Sequence, residues 1–309
     1  MSPNQPSATP EARGPHPSGD LRLDGLVPPE TRGIGRRQPS GHGAASRRAL
    51  PAARERTVWV LSYSNVGNFG DRLGMHVLSH VLPPNARITR IYHRPWTLPE
   101  GEPDLLVLGI GNSLFRPLLT DDLLSLLDRV PAAVGIFGTQ YRETIDSDRF
   151  GAVLDRLDTW WARYETDQQL YGQGRANVRH LGDWLIDAFP LATPHKDKRL
   201  VVGAEVQKEL PLDRVIERIQ SYTTVLSSRL HPLLCALTSA RQVAYREQRE
   251  MPNLDIASGK FGSMLRDVFG RTYPENTLFD VDPDAVAAYK ARVRGNVAAL
   301  REDLRRLLA

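Results

Sequence analysis

Short apolar runs alternate with helical segments through most of this 309-residue chain. Helical spacing marks segments that include 72–82, 121–129, 149–157 and 212–220. The apolar runs, each of about five residues, lie within 57–63, 87–92, 104–108, 133–137, 159–163, 178–181, 199–203, 223–226 and 242–245. Strands that alternate with helices of about ten residues form βαβ units, whose strands run parallel. The pattern predicts an α/β fold built on parallel sheets.

The strand pattern pauses at polar residues 193–198 and then restarts, which indicates two lobes. We expect a first Rossmann-like lobe over 57–194 and a second over 195–309, the two facing each other. The second lobe ends in a long amphipathic helix that starts at Pro283, a residue suited to a first helical turn. Ligands of open parallel sheets bind at the carboxyl ends of the strands, so functional residues are expected in the loops there.

Residues 1–56 differ in composition from the rest of the chain. They hold nine Arg and no Lys against five acidic residues, together with nine of the 23 prolines. Their balance of +4 equals the net charge of the whole chain, so the remainder is neutral and no nucleic-acid partner is indicated. This leader cannot bury enough apolar surface to fold, so we expect disorder; a mis-assigned start codon is the alternative. It lacks the apolar region of a secretory signal, and its acids argue against a transit peptide.

The single cysteine, Cys235, excludes an internal disulfide and any multi-cysteine metal site. It falls in an apolar helical run, which favours packing over a nucleophilic role. No window reaches the roughly 18–20 apolar residues of a membrane span, so we expect a cytoplasmic protein. Peripheral contact with the inner face of a membrane stays open, since the basic leader suits anionic lipid but has no amphipathic face of useful length.

The first glycine-rich loop, residues 67–71, lies between the first strand and its helix. Gly70 lets the backbone approach a ligand, and Asn68 stands beside helix-start amides that can bind an anion or a hydroxyl-rich substrate. Asp71 has two open interpretations, a polar ligand contact or the N-cap of the helix. The spacing fits neither a Walker loop nor a strict G-x-G-x-x-G motif.

A second loop, residues 109–113, follows the strand at 104–108. Gly111 and Asn112 favour close approach of the backbone to a substrate. Ser113 lacks the second glycine of a nucleophile elbow, which argues against a nucleophilic serine. Residues 135–139 resemble this loop more weakly.

The sharpest signal is the segment 227–232, which joins the strand at 223–226 to a predicted helix beginning at Pro232. Hydroxyls, a guanidinium and an imidazole then converge on helix N-terminal amides. Arg229 can hold a carboxylate or phosphate through two parallel hydrogen bonds, and His231 can exchange a proton near neutral pH. The alternative is that Ser228 caps the helix and His231 packs against the other lobe.

Other residues with possible chemistry give weaker signals. His76 and His80 share one helix face, but without a third ligand they do not predict a metal site. The Trp160-Trp161 pair is compatible with sugar stacking, although a buried edge near the lobe interface fits it better. The sequence therefore predicts no metal.

Taken together, the loops resemble the polysaccharide pyruvyl transferase family over roughly residues 57–270, discontinuously. The resemblance is carried by Asn68-Phe69-Gly70-Asp71, Gly109-Ile110-Gly111-Asn112-Ser113, Gly182-Asp183, Lys260 ahead of a helix and, above all, Ser228-Arg229-Leu230-His231 before an aliphatic helix. The sequence departs from the family pattern in three places. Ile110 interrupts a glycine run, Arg163-Tyr164 stands where an Arg-Asp pair is common, and Pro232 replaces a glycine.

The resemblance implies a GT-B-like pair of lobes and transfer of a pyruvyl group from phosphoenolpyruvate onto a sugar or lipid-linked oligosaccharide as a ketal. It implies that the donor lies near Arg229 and His231. We expect Arg229, helped by Ser228 and Lys260, to hold the donor, His231 to supply a proton, and Asp71 to orient or deprotonate the acceptor. No metal, nucleotide or other cofactor is needed.

Two other interpretations stay open. A GT-B glycosyltransferase that uses a nucleotide-sugar would share the two lobes and the helix-end phosphate site, although no clear Glu is in place for the nucleotide ribose; Glu247 and Glu250 are possible. A non-catalytic relative that binds sugars or anions would keep the same loops without turnover.

Overall fold

The first of two parallel sheets forms from the apolar runs of the first half of the chain. The computed structural model describes residues 54–64, 68–109, 113–203, 210–249 and 255–309. The strands of this sheet are β1 (Arg56–Ser64), β2 (Ala86–Arg94), β3 (Leu105–Leu108), β4 (Ser113–Leu114), β5 (Ala133–Thr139), β6 (Thr159–Ala162) and β7 (Val178–His180). All pair in parallel in the order β2-β1-β3-β5-β6-β7, and β4 pairs with the end of β5. Every residue of β3, β5 and β6 is buried, as expected for a sheet covered on both faces.

Helices connect these strands on both faces of the sheet. They are α1 (Phe69–Val81), α2 (Asp121–Leu127), α3 (Ser147–Leu154) and α4 (Glu165–Tyr171). Helix α1 starts three residues before the predicted residue 72, because Asn68 and Asp71 form a capping box at its N-terminus. Thr120 and Asp146 cap α2 and α3 in the ordinary way, each with a side-chain oxygen that accepts a backbone N–H.

The second sheet is smaller. Its strands, in the order β11-β10-β9-β8, are β8 (Lys196–Val202), β9 (Tyr222–Ser227), β10 (Gln242–Tyr245) and β11 (Phe279–Asp280), of which β11 alone is antiparallel to its neighbour. The helices that accompany it are α5 (Leu212–Gln220), α6 (Leu230–Leu237), α7 (Lys260–Phe269) and α8 (Pro283–Leu307). Residues 196–198, predicted as part of a linker, belong to β8, because Lys196 pairs with Tyr222 at the edge of the sheet.

Helix α8 follows the second sheet in the chain but packs against the first. Trp161 Nε1 donates to Asp303 Oδ2 (3.2 Å), and Tyr289 Oη accepts the backbone N–H of Asp183 (2.6 Å). The ammonium of Lys290 donates to three main-chain carbonyl oxygens between Ile186 and Phe189, at 2.7–2.8 Å. One continuous buried core extends from the first sheet through α8 to the second, so α8 holds the lobes together.

The predicted α/β fold with two Rossmann-like lobes and parallel sheets is confirmed. The predicted disordered leader lies outside the described residues, except for residues 54–56. Within the described ranges, no helix combines the length and the apolar character needed to cross a bilayer.

Candidate functional site

A cavity of about 240 Å³ opens where the carboxyl ends of the two sheets face each other. It is lined by Tyr63, Asn68, Phe69, Gly70, Phe115, Gln140, Tyr141, Arg163, Arg229, Leu230, His231, Pro232, Gln248 and Lys260. Four of these side chains are basic or can become so, and none of the described residues that line the cavity is acidic. The cavity is therefore suited to an anionic ligand.

The N-terminus of α6 forms one wall of the cavity. Ser227 Oγ accepts the backbone N–H of Arg229 (3.0 Å) and donates to the carbonyl of the same residue (2.7 Å), which turns the chain from β9 into the helix. The helix begins at Leu230, so the prediction that Pro232 takes its first position was wrong. The first turn of a helix has backbone N–H groups with no acceptor inside the helix, and here residues of that turn, Leu230 and His231, line the cavity.

Ser228 does not cap α6. The N-cap position belongs to Arg229, whose side chain makes no capping bond. The backbone of Ser228 is fixed from both sides, because its N–H donates to Val202 O (3.1 Å) and its carbonyl accepts from Gln248 Nε2 (3.0 Å). Ser228 thus positions the turn, and its side chain is not part of the cavity lining.

His231 is buried between Gly70 of the first lobe and Asp183. Its Nε2 lies 3.5 Å from Asp183 Oδ2. This distance is longer than that of a usual hydrogen bond but lies within the range of an ion pair. A Cβ on Gly70 would come within 2.8 Å of Cγ of His231, within 2.5 Å of Cε1 and closer still to Nδ1. Only glycine fits at position 70, and Nδ1 of His231 lies on that side of the ring.

Asp183 is fully buried and lies beside the side chains of His231 and Arg163. Burial alone would raise the pKa of Asp183, but His231 and Arg163 outweigh it and leave the pKa below its usual value. Arg163 Nε lies 3.9 Å from the same Oδ2, and Arg163 is only 3% exposed. Burial alone would lower the pKa of Arg163, but Asp183 overcomes this and raises it. The carboxylate of Asp183 is therefore ionised at neutral pH.

Two further cations reach the cavity from the second lobe. Arg229 Nε is buried and donates no hydrogen bond within the part of the chain that the structure describes. Lys260 Nζ donates to Gln248 Oε1 and lies 3.5 Å from Gln140 Oε1 of the first lobe. Burial, reinforced by the two nearby guanidinium groups and opposed by Glu247, lowers the pKa of Lys260 to about 8. A bound anion would satisfy Arg229 and raise the pKa of Lys260 again.

Asp71 belongs to the capping box of α1. Its Oδ2 accepts the backbone N–H of Asn68 (3.0 Å), and its own N–H donates to Asn68 Oδ1 (3.1 Å). Asp71 is half-buried and adjoins the cavity wall without being part of it. Burial raises its pKa, while the Asn68 N–H and the charges of His231, Arg163 and Lys260 oppose the rise. Asp71 thus shares the electrostatic environment of the site.

The structure gathers most of the predicted site residues around one cavity. His231, Arg229, Lys260, Asn68 and Gly70 line it, and Asp71 and Ser228 adjoin it. Gly111 and Asn112 lie outside the described residues. The residues that were not predicted to form the site are Arg163, Gln140, Gln248, Tyr63, Phe115, Tyr141 and, behind His231, Asp183. Most of them lie at or just after the carboxyl end of a strand, and this position is the sequence signal that could have identified them.

The weaker sequence candidates lie elsewhere. Cys235 is buried in α6, and burial raises the pKa of its thiol, which disfavours the reactive thiolate. The rings of His76 and His80 pack against each other on the solvent-facing side of α1, with 4.5 Å between their centroids. Trp160 is buried in the first lobe and donates to Phe137 O (3.1 Å). No cluster of three or more potential metal ligands occurs among the residues that the structure describes.

No protein-family model matches this chain, and no curated protein matches it. A solved structure of an uncharacterized protein from Klebsiella pneumoniae subsp. pneumoniae NTUH-K2044 aligns at 15% identity with a TM-score of 0.43, covering 65% of this chain and 86% of that one. An alpha-glucosyltransferase in complex with UDP aligns at 8% identity with a TM-score of 0.36, covering 82% and 95%. An alpha-glucosyltransferase in complex with UDP and a 13-mer DNA aligns at 8% identity with a TM-score of 0.35, covering 83% of this chain and 94% of that one. Likenesses this remote assign no activity to the chain.

Proposed function

We propose that the protein is a transferase that moves the pyruvyl group of phosphoenolpyruvate onto two hydroxyls of a sugar, forming a ketal. The observation that carries the proposal is the compact cavity between the lobes. Three cationic side chains and a helix N-terminus line it, and a histidine backed by a buried carboxylate stands at its wall. The family resemblance of the Ser228–His231 block supports the same reaction.

The donor would bind through its two anionic groups. Phosphoenolpyruvate carries its phosphate and its carboxylate on the same carbon, so it needs several cations within a small volume. Arg163, Arg229 and Lys260 supply these charges, and the N–H groups at the start of α6 supply uncharged donors. The unsatisfied Nε of Arg229 is a donor that such an anion would pair with.

The cavity favours a compact donor over a nucleotide-sugar. Pockets for drug-sized ligands measure roughly 300–1,000 Å³, and this one measures about 240 Å³. A nucleotide-sugar adds a base, a ribose and a hexose to its diphosphate and would have to extend well outside the described walls. Phosphoenolpyruvate needs no such extension.

His231 is the proposed acid. Its Nε2 faces the ionised carboxylate of Asp183, and Nδ1 faces Gly70 at the cavity wall. Asp71, whose pKa burial raises, is the proposed base for the acceptor hydroxyl. These two groups come from opposite lobes, so the acceptor would react where the lobes meet.

The reaction balances without a cofactor. His231 gives a proton to the methylene carbon of phosphoenolpyruvate, while a sugar hydroxyl attacks the adjacent carbon and passes its proton to Asp71. The carbon–oxygen bond to phosphate then breaks, and inorganic phosphate leaves with the electron pair. A second hydroxyl attacks the resulting oxocarbenium carbon and passes its proton to His231, which closes the ketal and restores the acid, while the proton on Asp71 leaves with the phosphate. Two hydroxyls and phosphoenolpyruvate give one ketal and one phosphate.

Thermal-shift measurements with phosphoenolpyruvate, UDP-sugars and GDP-sugars test the proposed donor. A ligand that binds only the folded state raises the melting temperature. We expect stabilisation by phosphoenolpyruvate, reduced in Arg229→Ala. Stabilisation by a nucleotide-sugar alone would replace this proposal with a glycosyltransferase.

A further inference from the structure

Three aromatic side chains of the first lobe line the cavity. Tyr63 lies at the carboxyl end of β1, Phe115 follows β4 and Tyr141 follows β5. The ring centroids of Tyr63 and Phe115 lie 5.7 Å apart at 48°, and those of Phe115 and Tyr141 lie 6.1 Å apart at 72°. The three rings form a continuous surface, which we call the aromatic wall.

The aromatic wall is held in place before any ligand binds. The ring of Tyr63 stacks on His93 with 6.5 Å between centroids and 13° between planes, and the Arg94 guanidinium lies 5.8 Å from it. Tyr141 has φ 53° and ψ 47°, a left-handed conformation that costs a non-glycine residue about 1–2 kcal/mol. Its N–H donates to Ser258 O of the second lobe (3.1 Å), which helps to fix this conformation.

The aromatic wall differs in chemistry from the rest of the cavity. The cations Arg229 and Lys260 come from the second lobe, while the rings come from the first. Tyr63 and Phe115 are half-buried, so part of each ring stays accessible. The amides of Asn68 and Gln140 lie among the lining residues of the first lobe, and an amide can both donate to and accept from a hydroxyl.

We infer that the aromatic wall is the acceptor subsite and binds one pyranose ring through its C–H face. A pyranose has an apolar face of C–H groups and an edge of hydroxyls, which matches rings flanked by amides. Stacking there would place the hydroxyls toward the donor cations. The inference rests on the proposed function for the reaction that follows binding, but the binding can be tested by itself.

Saturation-transfer NMR of the full chain with methyl α- and β-pyranosides of glucose, galactose and mannose tests the subsite, with uridine as a competing probe. We expect signal on the C–H protons of at least one pyranoside. Tyr63→Leu and Phe115→Leu should each weaken its binding about tenfold, the equivalent of a lost aromatic contact. Tyr63→Phe keeps the ring and should bind as the native protein does.

The control variant is Tyr222→Leu, a half-buried tyrosine at the start of β9, on the opposite end of that strand from the site. It should leave pyranoside binding unchanged. Phosphoenolpyruvate binding is measured on every variant by calorimetry and should change less than about twofold, which also verifies that each variant is folded.

Each outcome separates the two ideas. Native protein that binds phosphoenolpyruvate but no pyranoside, or that binds pyranosides unchanged by both leucine variants, overturns the acceptor subsite and leaves the proposed donor standing. Binding of uridine alone at the aromatic wall also overturns it. Pyranoside binding that depends on the rings, without phosphoenolpyruvate binding, supports the subsite and removes the proposed function.

Discussion

A methyl group added at Gly70 should inactivate the protein without unfolding it. In Gly70→Ala the new Cβ would come within 2.5 Å of Cε1 of His231 and closer to Nδ1, so the imidazole must move. The ring has little room to do so, because His231 is 6% exposed and Asp183 lies 3.5 Å from its other side. Displacement separates the proposed acid from both its carboxylate and the donor.

The expected magnitudes for stability and activity differ. Overpacking a buried position costs about 1–3 kcal/mol, while alanine inside a helix gains about 0.5–1 kcal/mol over glycine. Since Gly70 lies in the first turn of α1, the free energy of unfolding should fall by about 0–2.5 kcal/mol. Loss of a positioned general acid costs about 10²–10⁴-fold in rate, so activity should fall at least about 100-fold.

The assay is the pyruvyl-ketal content of glycans from cells that lack the gene and are complemented with each variant, together with denaturant unfolding of the purified protein. Gly295→Ala is the matched control, because Gly295 is an exposed position of α8 and nothing lies within 4 Å of the Cβ that the substitution would add. It should keep full activity and gain about 0.5–1 kcal/mol. Native ketal content in the Gly70→Ala strain would refute the placement of His231 as the acid.

The other predictions concern single groups of the site. Asp71→Asn keeps an oxygen for the capping box, so it should lose activity about 10²–10⁴-fold with little change in stability. Asp71→Ala should also lose about 1 kcal/mol of stability. Equal activity of Asp71→Asn and the native protein would show that Asp71 only caps the helix. His231→Ala should abolish phosphate release yet still bind phosphoenolpyruvate in calorimetry, whereas Arg229→Ala should weaken that binding about 10–100-fold; the reverse pattern would exchange their roles. Because the pKa of Lys260 is about 8, its ammonium is lost as pH rises through that value, so phosphoenolpyruvate affinity should fall above pH 8 in the native protein. That fall should be much weaker in Lys260→Met, and identical pH profiles would show that Lys260 does not contact the donor.

The sequence predicts the strands well because they are buried on both faces. Runs such as those of β3 and β5 are continuously apolar, which only a covered parallel strand requires. Helix starts are harder, because they depend on local hydrogen bonds. Pro232 suits a first helical position, yet the turn closed by Ser227 Oγ starts α6 at Leu230.

A local sequence pattern shows which site residues contact each other only where these residues are close in the chain. Arg229 and His231 are found together because one turn carries both. Asp183 reaches His231 from the other lobe, across 48 residues of sequence, so no local pattern pairs them. Gly70 is predicted from the sequence to let the backbone approach a ligand, whereas its constraint in the structure is the imidazole of His231 that packs against it. Contacts between the lobes can be identified only from the folded structure.

Pyruvyl transfer can be measured by incubating purified protein with phosphoenolpyruvate and with glycans isolated from cells that lack the gene. The products are analysed by mass spectrometry and by phosphate release. We expect the glycan to gain a pyruvyl ketal, with one phosphate released for each ketal formed, and His231→Ala to give neither. Glycans that stay unchanged with phosphoenolpyruvate but gain a hexose from a UDP- or GDP-sugar would contradict the proposed pyruvyl transfer.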